Sequence, residues 1–551
     1  MDDRNNRIDG VDFSELEQRL GPRLIDVRSP LQARLGDPND ESSEQTISEL
    51  QNFFHVQDQP GGFLTNGWYR AFDAKESPRA VAAESSKDVA AAVRFAKDKQ
   101  IGIVVKGTGH DYLGRSSNPD SLLIWTHKMR DIIIHDDFTP VGVEQEGGVP
   151  AITFGAGTRW LEAYQALAPT GRYVQGGGCT SVGAAGGFTQ GSGFGSFSRR
   201  YGTAAGNLLE CEVVTASGEV LVANAYRNAD LFWALRGGGG GTFGIVSKMT
   251  MRTHPFPETL GVAAGRVTAS GPEEFRSLLF ELVRLVGRLC DGHWGETVRI
   301  TGENTLEFGM LAADVTEEGA QRAFGPFMDF VNASDAFELE LTVFTLPFLN
   351  LWDPLMHEQM GSDLVRRDDR PLAKNDLFWW VANQGEVSQY LNAYKSRWLP
   401  SRLFDRSPDV LADALFDACH HWPVTLHLNK ALWGANPEAV ERDRATAINP
   451  AVFDAGALVI TASNQQFVFP GVPGHQPDLE LAASRSQAVE NAIAAIRQVT
   501  PGAGSYLNET DYFEADWQES FWGSNYPRLL EIKRKYDPTN LLRVHHGVGS
   551  E

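Results

Sequence analysis

Residues 176–187 read GGGCTSVGAAGG, a run in which half of the residues are glycine. A second cluster lies upstream, where the alternating Ile101, Ile103 and Val105 of a predicted strand lead directly into residues 107–110, GTGH. A third cluster, residues 237–241, consists of glycine alone. Glycine lets the backbone approach a ligand closely and direct successive N–H groups at phosphate. The three clusters therefore predict a large, extended anionic ligand, and a dinucleotide fits that description.

Signals for several other enzyme classes are absent from the sequence. Gly191-Ser192-Gly193 superficially resembles a Rossmann fingerprint, but it does not follow the first strand and open a helix, so a nicotinamide-binding domain is disfavoured. No GxSxG, HExxH or EF-hand pattern occurs. Cys179, Cys211, Cys290 and Cys419 form no CxxC pair. We therefore expect no metal site and no disulfide scaffold.

Length and charge limit the protein's organisation and partners. A chain of 551 residues exceeds what one hydrophobic core usually serves, which predicts two domains. The net charge of −22 disfavours binding to nucleic acid or to anionic membranes. No apolar run is long enough to span a bilayer. The N-terminus lacks the pattern of a signal peptide, which predicts a cytoplasmic protein as the sequence stands, or a secreted one if a leader was removed.

Short strands alternate with helices, which predicts an α+β fold. Ser85 to Asp88 form a capping box before a helix, residues 122–125 form a strand, and residues 210–215 and 219–222 form a hairpin around Ala216-Ser217-Gly218. Near residue 258 the glycine clusters give way to aromatic residues. We expect an N-terminal surface arm (1–60), a ligand-binding domain (61–258), a second domain (259–490) and a C-terminal segment (491–551) with a strand at 506–508 and a helix at 526–535.

Four segments, taken in order, resemble the superfamily of vanillyl-alcohol oxidase and the berberine-bridge enzyme. They are VKGTGHDY at 105–112, GGGCTSVG at 176–183, DLFWALRGGGGGTFGIV at 230–246, and the C-terminal YLN at 506–508 with LEIKRKYDPTNLL at 530–542. The resemblance implies a discontinuous FAD-binding domain of the PCMH type, built from residues 61–258 and 491–551. It also implies a substrate domain, residues 259–490, with a large antiparallel sheet backed by helices.

The resemblance further implies FAD held by two covalent bonds, from His110 to the flavin 8α-methyl and from Cys179 to C6. A neutral imidazole and a thiolate are both suitable nucleophiles for an electrophilic flavin ring. The further FAD-binding residues that it implies are Lys106, Gly107, Thr108, Gly109, Val182, Gly183, Gly186, Gly187, Gly244, Ile245, Val246 and Asn508. The implied partners are a small-molecule substrate and O₂, and the protein is expected to be a monomer or a homodimer.

The sequence departs from the family pattern at two positions where a catalytic base often stands. Phe194 replaces a Tyr or His, and Glu509 replaces the terminal tyrosine. The base therefore stays open among three candidates. Tyr112 matches a tyrosine that often lines this active site, Glu509 stands beside the flavin-lining segment, and His427 lies on the predicted strand TLHLN.

Three functions are compatible with the sequence. The first is an oxidase that transfers a hydride from an alcohol, a saccharide or a secondary metabolite to FAD, which O₂ reoxidises with release of H₂O₂. The small Val182, three residues after Cys179, is typical of oxidases in this family, in which dehydrogenases carry a bulkier Leu. The second function is an oxidative cyclase of a biosynthetic pathway, and the third is a flavin-binding protein without catalytic activity.

Overall fold

Helices and strands alternate along the chain in the computed structural model, which describes residues 8–31, 41–143, 147–348, 351–359, 361, 363–371, 373 and 376–551. The strands are β1 Leu24–Asp26, β2 Thr65–Trp68, β3 Phe72–Asp73, β4 Arg79–Ala82, β5 Gly102–Lys106, β6 Ser121–Trp125, β7 Ile132–Phe138, β8 Val149–Gly155, β9 Arg172–Val174, β10 Leu208–Val214, β11 Val220–Asn224, β12 Ile245–Pro255, β13 Thr259–Ala269, β14 Gly295–Thr301, β15 Thr305–Ala313, β16 Phe337–Leu339, β17 Thr342–Pro347, β18 Val365–Arg367, β19 Phe378–Trp380, β20 Gln389–Pro400, β21 Val424–His427 and β22 Ala455–Gln465.

The α-helices are α1 Ser14–Leu20, α2 Glu41–Glu49, α3 Phe53–Gln57, α4 Ser86–Lys99, α5 Trp160–Leu167, α6 Gly187–Gln190, α7 Ser198–Tyr201, α8 Ala204–Asn207, α9 Ala229–Leu235, α10 Pro272–Asp291, α11 Glu317–Asn332, α12 Pro354–Gln359, α13 Arg402–Asp405, α14 Pro408–His421, α15 Pro437–Arg444, α16 Leu479–Val499, α17 Trp517–Trp522 and α18 Tyr526–Tyr536. Among the residues described, no helix is both long enough and apolar enough to cross a bilayer.

A small sheet near the N-terminus has the strand order β1-β4-β6-β5. Its last three strands run parallel to one another, and β1 pairs antiparallel with β4. Helix α4 begins at the predicted capping box: the Ser85 side chain accepts from the Asp88 N–H, and the Asp88 carboxylate accepts from the Ser85 N–H at 3.1 Å. Val89 and Val93 on this helix are fully buried. Residues 107–110 follow directly at the carboxyl end of β5 in this sheet.

A second, antiparallel sheet has the order β11-β10-β12-β8-β7, with β9 paired to the far end of β12. The predicted hairpin is confirmed, because β10 and β11 pair up to Val214 and Val220. Strand β12 begins at Ile245, directly after Gly244. A side chain at Gly244 would clash with Val213, since an added Cβ would lie 2.5 Å from its Cγ2.

The third sheet is much larger, with the order β16-β13-β15-β14-β21-β22-β20-β2-β3 and with β17 also paired to β13. All of its pairings are antiparallel except that between β2 and β20. Helices α10, α11, α14 and α16 contribute apolar side chains to the core beside it, including Leu282, Phe327, Leu415 and Ile493. The α+β fold class with a large, mainly antiparallel sheet backed by helices is confirmed.

The C-terminal segment returns to the third glycine cluster. Trp522 Nε1 donates to the Gly237 carbonyl at 2.9 Å, and Lys533 Nζ donates to the Thr242 carbonyl at 2.8 Å. Arg528 lies over the Trp233 ring at 4.0 Å. The predicted C-terminal helix is confirmed as α18.

Three local expectations differ from the structure. Residues 53–57 do not lie on the surface as part of an arm, because Phe53 and Phe54 are fully buried in the core. Residues 506–508 form a turn instead of a strand: Tyr506 and Glu509 face each other across an isolated bridge, and the Glu509 N–H donates to the Tyr506 carbonyl at 2.9 Å. In TLHLN the strand ends at His427, and residues 428–430 form a 3₁₀ helix.

Candidate active site

The loop after β5 is turned by Asp111, whose carboxylate accepts from the N–H groups of Leu113 at 3.0 Å and Ser116 at 2.8 Å. Within the described part of the chain, the N–H groups of residues 107–110 have no protein acceptor. Gly109 has a φ of +79°, which glycine adopts without strain. A small recess lies beside this loop, lined in part by Lys106, Gly109 and Asp111. Such a run of free N–H groups suits an anionic ligand.

The glycine-rich loop 176–187 packs directly against that first loop. The Gly183 N–H donates to Thr108 Oγ1 at 2.9 Å, which joins the two loops. The Trp160 N–H donates to the Val182 carbonyl at 3.0 Å, so the loop is also fixed to the start of α5. Gly176 has no room for a side chain, because an added Cβ would lie 2.2 Å from the Trp160 ring.

His110 and Cys179 meet where the two loops touch. Ser181 Oγ lies 2.9 Å from His110 Nε2 and 3.5 Å from Cys179 Sγ, so it contacts both side chains. Burial lowers the pKa of His110 to about 3, and nearby Arg159 adds to this shift, so the imidazole is neutral at physiological pH. Burial, together with the Glu386 carboxylate, raises the pKa of Cys179 to about 12, so the free side chain is a thiol.

A segment from the first 60 residues supports this pair. The Phe53 ring stacks on His110 with 5.6 Å between centroids and 12° between planes. Asp58, at the end of α3, accepts hydrogen bonds from His127 at 2.9 Å and Arg370 at 2.9 Å. Burial alone would raise the pKa of Asp58, but His127 and the nearby Arg159 outweigh it and hold the pKa well below its usual range.

Tyr112 lies in a cluster of ionisable side chains next to Cys179. Its hydroxyl donates to Glu386 Oε2 at 3.3 Å, and its ring stacks on Tyr394 at 5.1 Å. Burial and the Glu386 carboxylate hold the pKa of Tyr112 well above its usual value. Glu386 has a raised pKa because it is buried, although hydrogen bonds from Asn383 and Tyr112 oppose the shift. A His110 ring nitrogen, Cys179 Sγ and a Glu386 oxygen lie within 4.8 Å of one another.

Glu509 belongs to the same cluster and forms a contact ion pair with Lys430. Its neighbour Asn508 donates to the Gly187 carbonyl at 2.8 Å and to the Tyr506 hydroxyl at 3.1 Å. The turn at 506–509 therefore positions Glu509 inward while Asn508 contacts the glycine-rich loop. Glu296 is a further half-buried carboxylate nearby, and burial raises its pKa, an effect that Glu509 reinforces.

His427 ends β21 in the large sheet, opposite Thr297 of β14. Burial and the neighbouring Lys430 lower the pKa of His427 well below 6.5, so its imidazole is neutral. Lys430 is therefore a neighbour of both His427 and Glu509.

Two glycine clusters meet where α6 begins. A Cβ added to Gly240 would lie 3.0 Å from the Cα of Gly187, and the N–H groups of Gly237 and Gly239 both donate to the Gln190 carbonyl. In contrast, a Cβ added to Gly186 would meet no protein atom within 4 Å. The glycine at 186 thus faces open space at the end of the glycine-rich loop 176–187. This space and the free N–H groups of residues 107–110 fit a bound dinucleotide.

Several side chains of this cluster carry no sequence motif and were not predicted. Glu386, Lys430 and Tyr394 reach the site from the large third sheet and its connections, and Phe53 reaches it from the N-terminal segment. Ser181 lies within the GGGCTSVG run, two residues after Cys179, and this proximity was the one signal available in the sequence.

Comparison with known proteins identifies the family. A family model described as an FAD binding domain matches residues 78–224, and one described as berberine and berberine like matches residues 505–549. The VAO-type flavoprotein oxidase VAO615 of Thermothelomyces thermophilus is 32% identical over 469 residues, which cover 84% of this chain and 74% of that protein. The chain belongs to the VAO-type FAD-linked oxidoreductases.

Solved flavoprotein structures have a similar fold. The crystal structure of MtVAO615 from Myceliophthora thermophila C1 superposes with a TM-score of 0.79 at 27% identity, covering 100% of this chain and 97% of that one. Glucooligosaccharide oxidase from Acremonium strictum, which carries a 6-S-cysteinyl, 8α-N1-histidyl FAD, gives a TM-score of 0.64 at 21% identity over 86% of this chain and 92% of that one. This VAO-type protein is accordingly an FAD-dependent oxidoreductase, with a berberine-like segment that contains Glu509.

Proposed function

We propose that this protein is an oxidase that holds FAD through covalent bonds to His110 and Cys179. Its substrate is an alcohol, a saccharide or a secondary metabolite. O₂ accepts the electrons and is reduced to H₂O₂. One observation carries the proposal: a ring nitrogen of His110 and the Cys179 sulfur lie within 4.8 Å of each other at the junction of two glycine-rich loops. Tyr112, Glu386 and Glu509 lie beside this pair.

The state of His110 supports the attachment. The imidazole is neutral because burial lowers its pKa to about 3, and a neutral imidazole is the nucleophilic form. The Ser181 hydroxyl is hydrogen-bonded to Nε2 of His110, which leaves Nδ1 of the same ring to form the bond to the flavin. The glucooligosaccharide oxidase of Acremonium strictum has the same pair of bond types, one histidyl and one cysteinyl.

The backbone of the two loops would hold the rest of the cofactor. The free N–H groups of residues 107–110 and the open space at Gly186 suit the pyrophosphate and the adjoining parts of FAD. Thr108 and Asn508 fix the loop 183–187 through their hydrogen bonds to Gly183 and Gly187. When bound, FAD supplies the acceptor for a hydride from the substrate.

The base that removes the substrate's hydroxyl proton is assigned to Glu509. A base needs hydrogen-bond reach to the substrate and an unprotonated form at working pH. Glu509 reaches the site from the turn at 506–509 and is paired there with Lys430. Tyr112 has a pKa well above its usual value, so its phenol stays protonated and orients neighbouring groups by donating a hydrogen bond. His427, a neutral imidazole beside Lys430, is the remaining candidate.

The products of the reaction distinguish an oxidase from the two alternative functions. Purified protein would be mixed without O₂ with panels of alcohols, saccharides and secondary metabolites, and loss of the flavin absorption band would identify electron donors. Readmission of air should restore the band and release one H₂O₂ for each substrate oxidised. A product with a new ring would instead support the oxidative cyclase, and failure of every donor and of photoreduction would support a non-catalytic flavin-binding protein.

A further inference from the structure

Glu386 is a half-buried carboxylate next to both flavin-attachment residues. One of its oxygens lies within 4.8 Å of Cys179 Sγ and of a His110 ring nitrogen. Asn383 Nδ2 donates to Oε1 at 2.8 Å and the Tyr112 hydroxyl donates to Oε2 at 3.3 Å, so both oxygens are held in place. No described Lys or Arg forms an ion pair with Glu386, in contrast to Glu509, which contacts Lys430.

The segment that carries Glu386 is fixed to the same loop. It is the 3₁₀ helix Val381–Glu386, which follows β19. Trp380 Nε1, at the end of that strand, donates to the Gly178 carbonyl at 2.9 Å. Asn464 Nδ2 donates to the Gly385 carbonyl at 2.8 Å from β22. The carboxylate is therefore held against residues 178–179 by contacts on both sides.

Cys179 needs a proton acceptor before its sulfur can react. Only the thiolate is an effective nucleophile, and burial with the nearby Glu386 raises the pKa of Cys179 to about 12. Ser181 Oγ also contacts the sulfur, but a hydroxyl is a very weak base. The charged and titratable groups around Glu386 are Tyr112, Glu509, Tyr394 and Lys430; the two phenols are protonated, and Lys430 and Glu509 neutralise each other.

We propose that Glu386 accepts the thiol proton of Cys179 when the protein forms its own thioether bond to the flavin, an inference that rests on the covalent attachment proposed above. The S–H bond breaks, sulfur bonds to flavin C6, and the proton moves to a Glu386 oxygen. The hydrogen at C6 leaves as a second proton. The two electrons left on the ring pass to O₂, which takes up two protons and becomes H₂O₂. Glu386 thus has a role in maturation that is separate from substrate oxidation.

The test measures the Cys179 bond and not turnover. Full-length apoprotein is produced in a riboflavin-starved host and mixed with FAD in air. At intervals the protein is denatured, alkylated with iodoacetamide and digested, and the fraction of Cys179 peptide that carries flavin is measured by mass spectrometry. We expect Glu386→Gln to slow this bond by about 10²–10⁴-fold, the usual effect of a lost general base, while the His110 bond forms as in the wild type.

A second set of variants isolates the step. In a His110→Ala background the only covalent bond to flavin is the one from Cys179. If Glu386→Gln is added, this bond should not form, and acid should then release the flavin from the protein. Glu386→Ala should recover thioether formation as formate is added, because a free carboxylate replaces the missing one. Glu296→Gln removes another half-buried carboxylate near Gly178 and should attach flavin at the wild-type rate.

The outcomes distinguish the two proposals. Wild-type protein that forms no covalent bond at all would overturn the proposed attachment itself. Wild-type protein that forms both bonds, with Glu386→Gln forming the thioether equally fast, would overturn the role of Glu386 alone. The same conclusion would follow if Glu296→Gln were slowed as much as Glu386→Gln, since the effect would then come from general loss of negative charge.

Discussion

At the scale of single residues, Glu509 and Tyr112 belong to the same cluster but have different partners. Glu509 is paired with Lys430, whereas the Tyr112 phenol donates to Glu386. Glu509→Gln keeps the shape of the side chain and removes the base. In rapid mixing with substrate, flavin reduction should slow by about 10²–10⁴-fold. Tyr112→Phe should have a smaller effect, because it removes an orienting hydrogen bond.

The same rapid-mixing measurement can assign the catalytic base to a different residue. Unchanged flavin reduction in Glu509→Gln together with collapse in Tyr112→Phe would make Tyr112 the base. Collapse in His427→Ala with normal reduction in the other two variants would assign His427. Flavin content must be equal in all variants, so that loss of rate is not loss of cofactor.

Val182 is a residue at which oxygen reactivity can be tested separately from substrate oxidation. It is half-buried in the loop that carries Cys179, and its carbonyl accepts from the Trp160 N–H. Val182→Leu adds bulk beside the proposed position of the flavin ring. We expect slower reoxidation by O₂ and unchanged reduction by substrate in stopped-flow traces. Wild-type reduced flavin that persists in air for minutes would show that the protein is a dehydrogenase.

The sequence identified the residues whose chemistry depends on a local motif and missed those assembled by the fold. His110, Cys179 and Tyr112 lie in runs that could be recognised from the chain alone. Glu386 lies in VANQGEVSQ, a stretch without glycine spacing or periodicity that marks a site. Its position beside Cys179 depends on β19 and β20, far from residue 179 in sequence, so residue types alone do not reveal it.

At the scale of elements, the start of α6 offers a direct test of where FAD lies. A Cβ at Gly186 would meet no protein atom within 4 Å, but the backbone there, with φ −79° and ψ −140°, lies outside the main regions that alanine adopts. Gly186→Ala should therefore cost the apoprotein about 1–3 kcal/mol of backbone strain without a clash, seen as a lower melting temperature. If FAD fills the open space, affinity should fall about tenfold or more, equivalent to ~1.4 kcal/mol. The affinity is measured by flavin fluorescence in a His110→Ala/Cys179→Ala background, where binding is reversible.

Gly325→Ala is the matched control for this substitution. Gly325 lies inside α11 beside the large sheet, and an added Cβ would also meet nothing within 4 Å. Alanine there should stabilise the helix by about 1 kcal/mol and leave FAD affinity unchanged. Equal FAD affinities for Gly186→Ala and Gly325→Ala would exclude FAD from the space at Gly186.

Helix α3 is held in place by the ionic contacts of Asp58, and this gives a pH dependence with a definite sign. The folded-state pKa of Asp58 lies below its unfolded value of about 3.9, so its stabilising effect is present above that pH and is lost as the pH falls. Asp58→Asn should lower the melting temperature at pH 7, and the difference from wild type should shrink below about pH 4.

Asp136→Asn serves as the control for that series, because Asp136 is fully exposed and pairs with Arg172 at 3.3 Å. An exposed ion pair contributes only about 0–1 kcal/mol, so this variant should melt close to the wild type at every pH. A melting difference for Asp58→Asn that stays constant from pH 7 to pH 3 would contradict the ionic role of Asp58.

Elements with strong local signals were predictable, and elements fixed by distant partners were not. The capping box at Ser85 and the hairpin around Gly218 are confirmed. The polar-aromatic segment 506–508 was expected to form a strand. It lies beside β20, where the Trp398 N–H donates to the Gly504 carbonyl, but it closes on itself as a turn. Residues 53–57 are apolar enough for a core, yet the short length of α3 gave no periodic pattern to detect.

At the scale of the whole molecule, the site is assembled from three distant parts of the chain. The N-terminal half supplies both loops with His110 and Cys179, the large sheet and its connections supply Lys430 and Glu386, and the C-terminal segment supplies Glu509. The tail is anchored on residues 237–242 by Trp522 and Lys533. Substrate oxidation consequently requires the complete fold. The boundaries at residues 60, 258 and 490, and the monomeric or dimeric state, stay predictions.

The covalent attachment of FAD is the central claim, and acid precipitation of the purified protein tests it most directly. We predict that the yellow colour stays with the pellet and that the intact mass exceeds the chain mass by one FAD. His110→Ala and Cys179→Ala should each retain flavin through the remaining bond, and the double variant should release all of it. Flavin that leaves the wild-type protein for the acid supernatant would contradict the account.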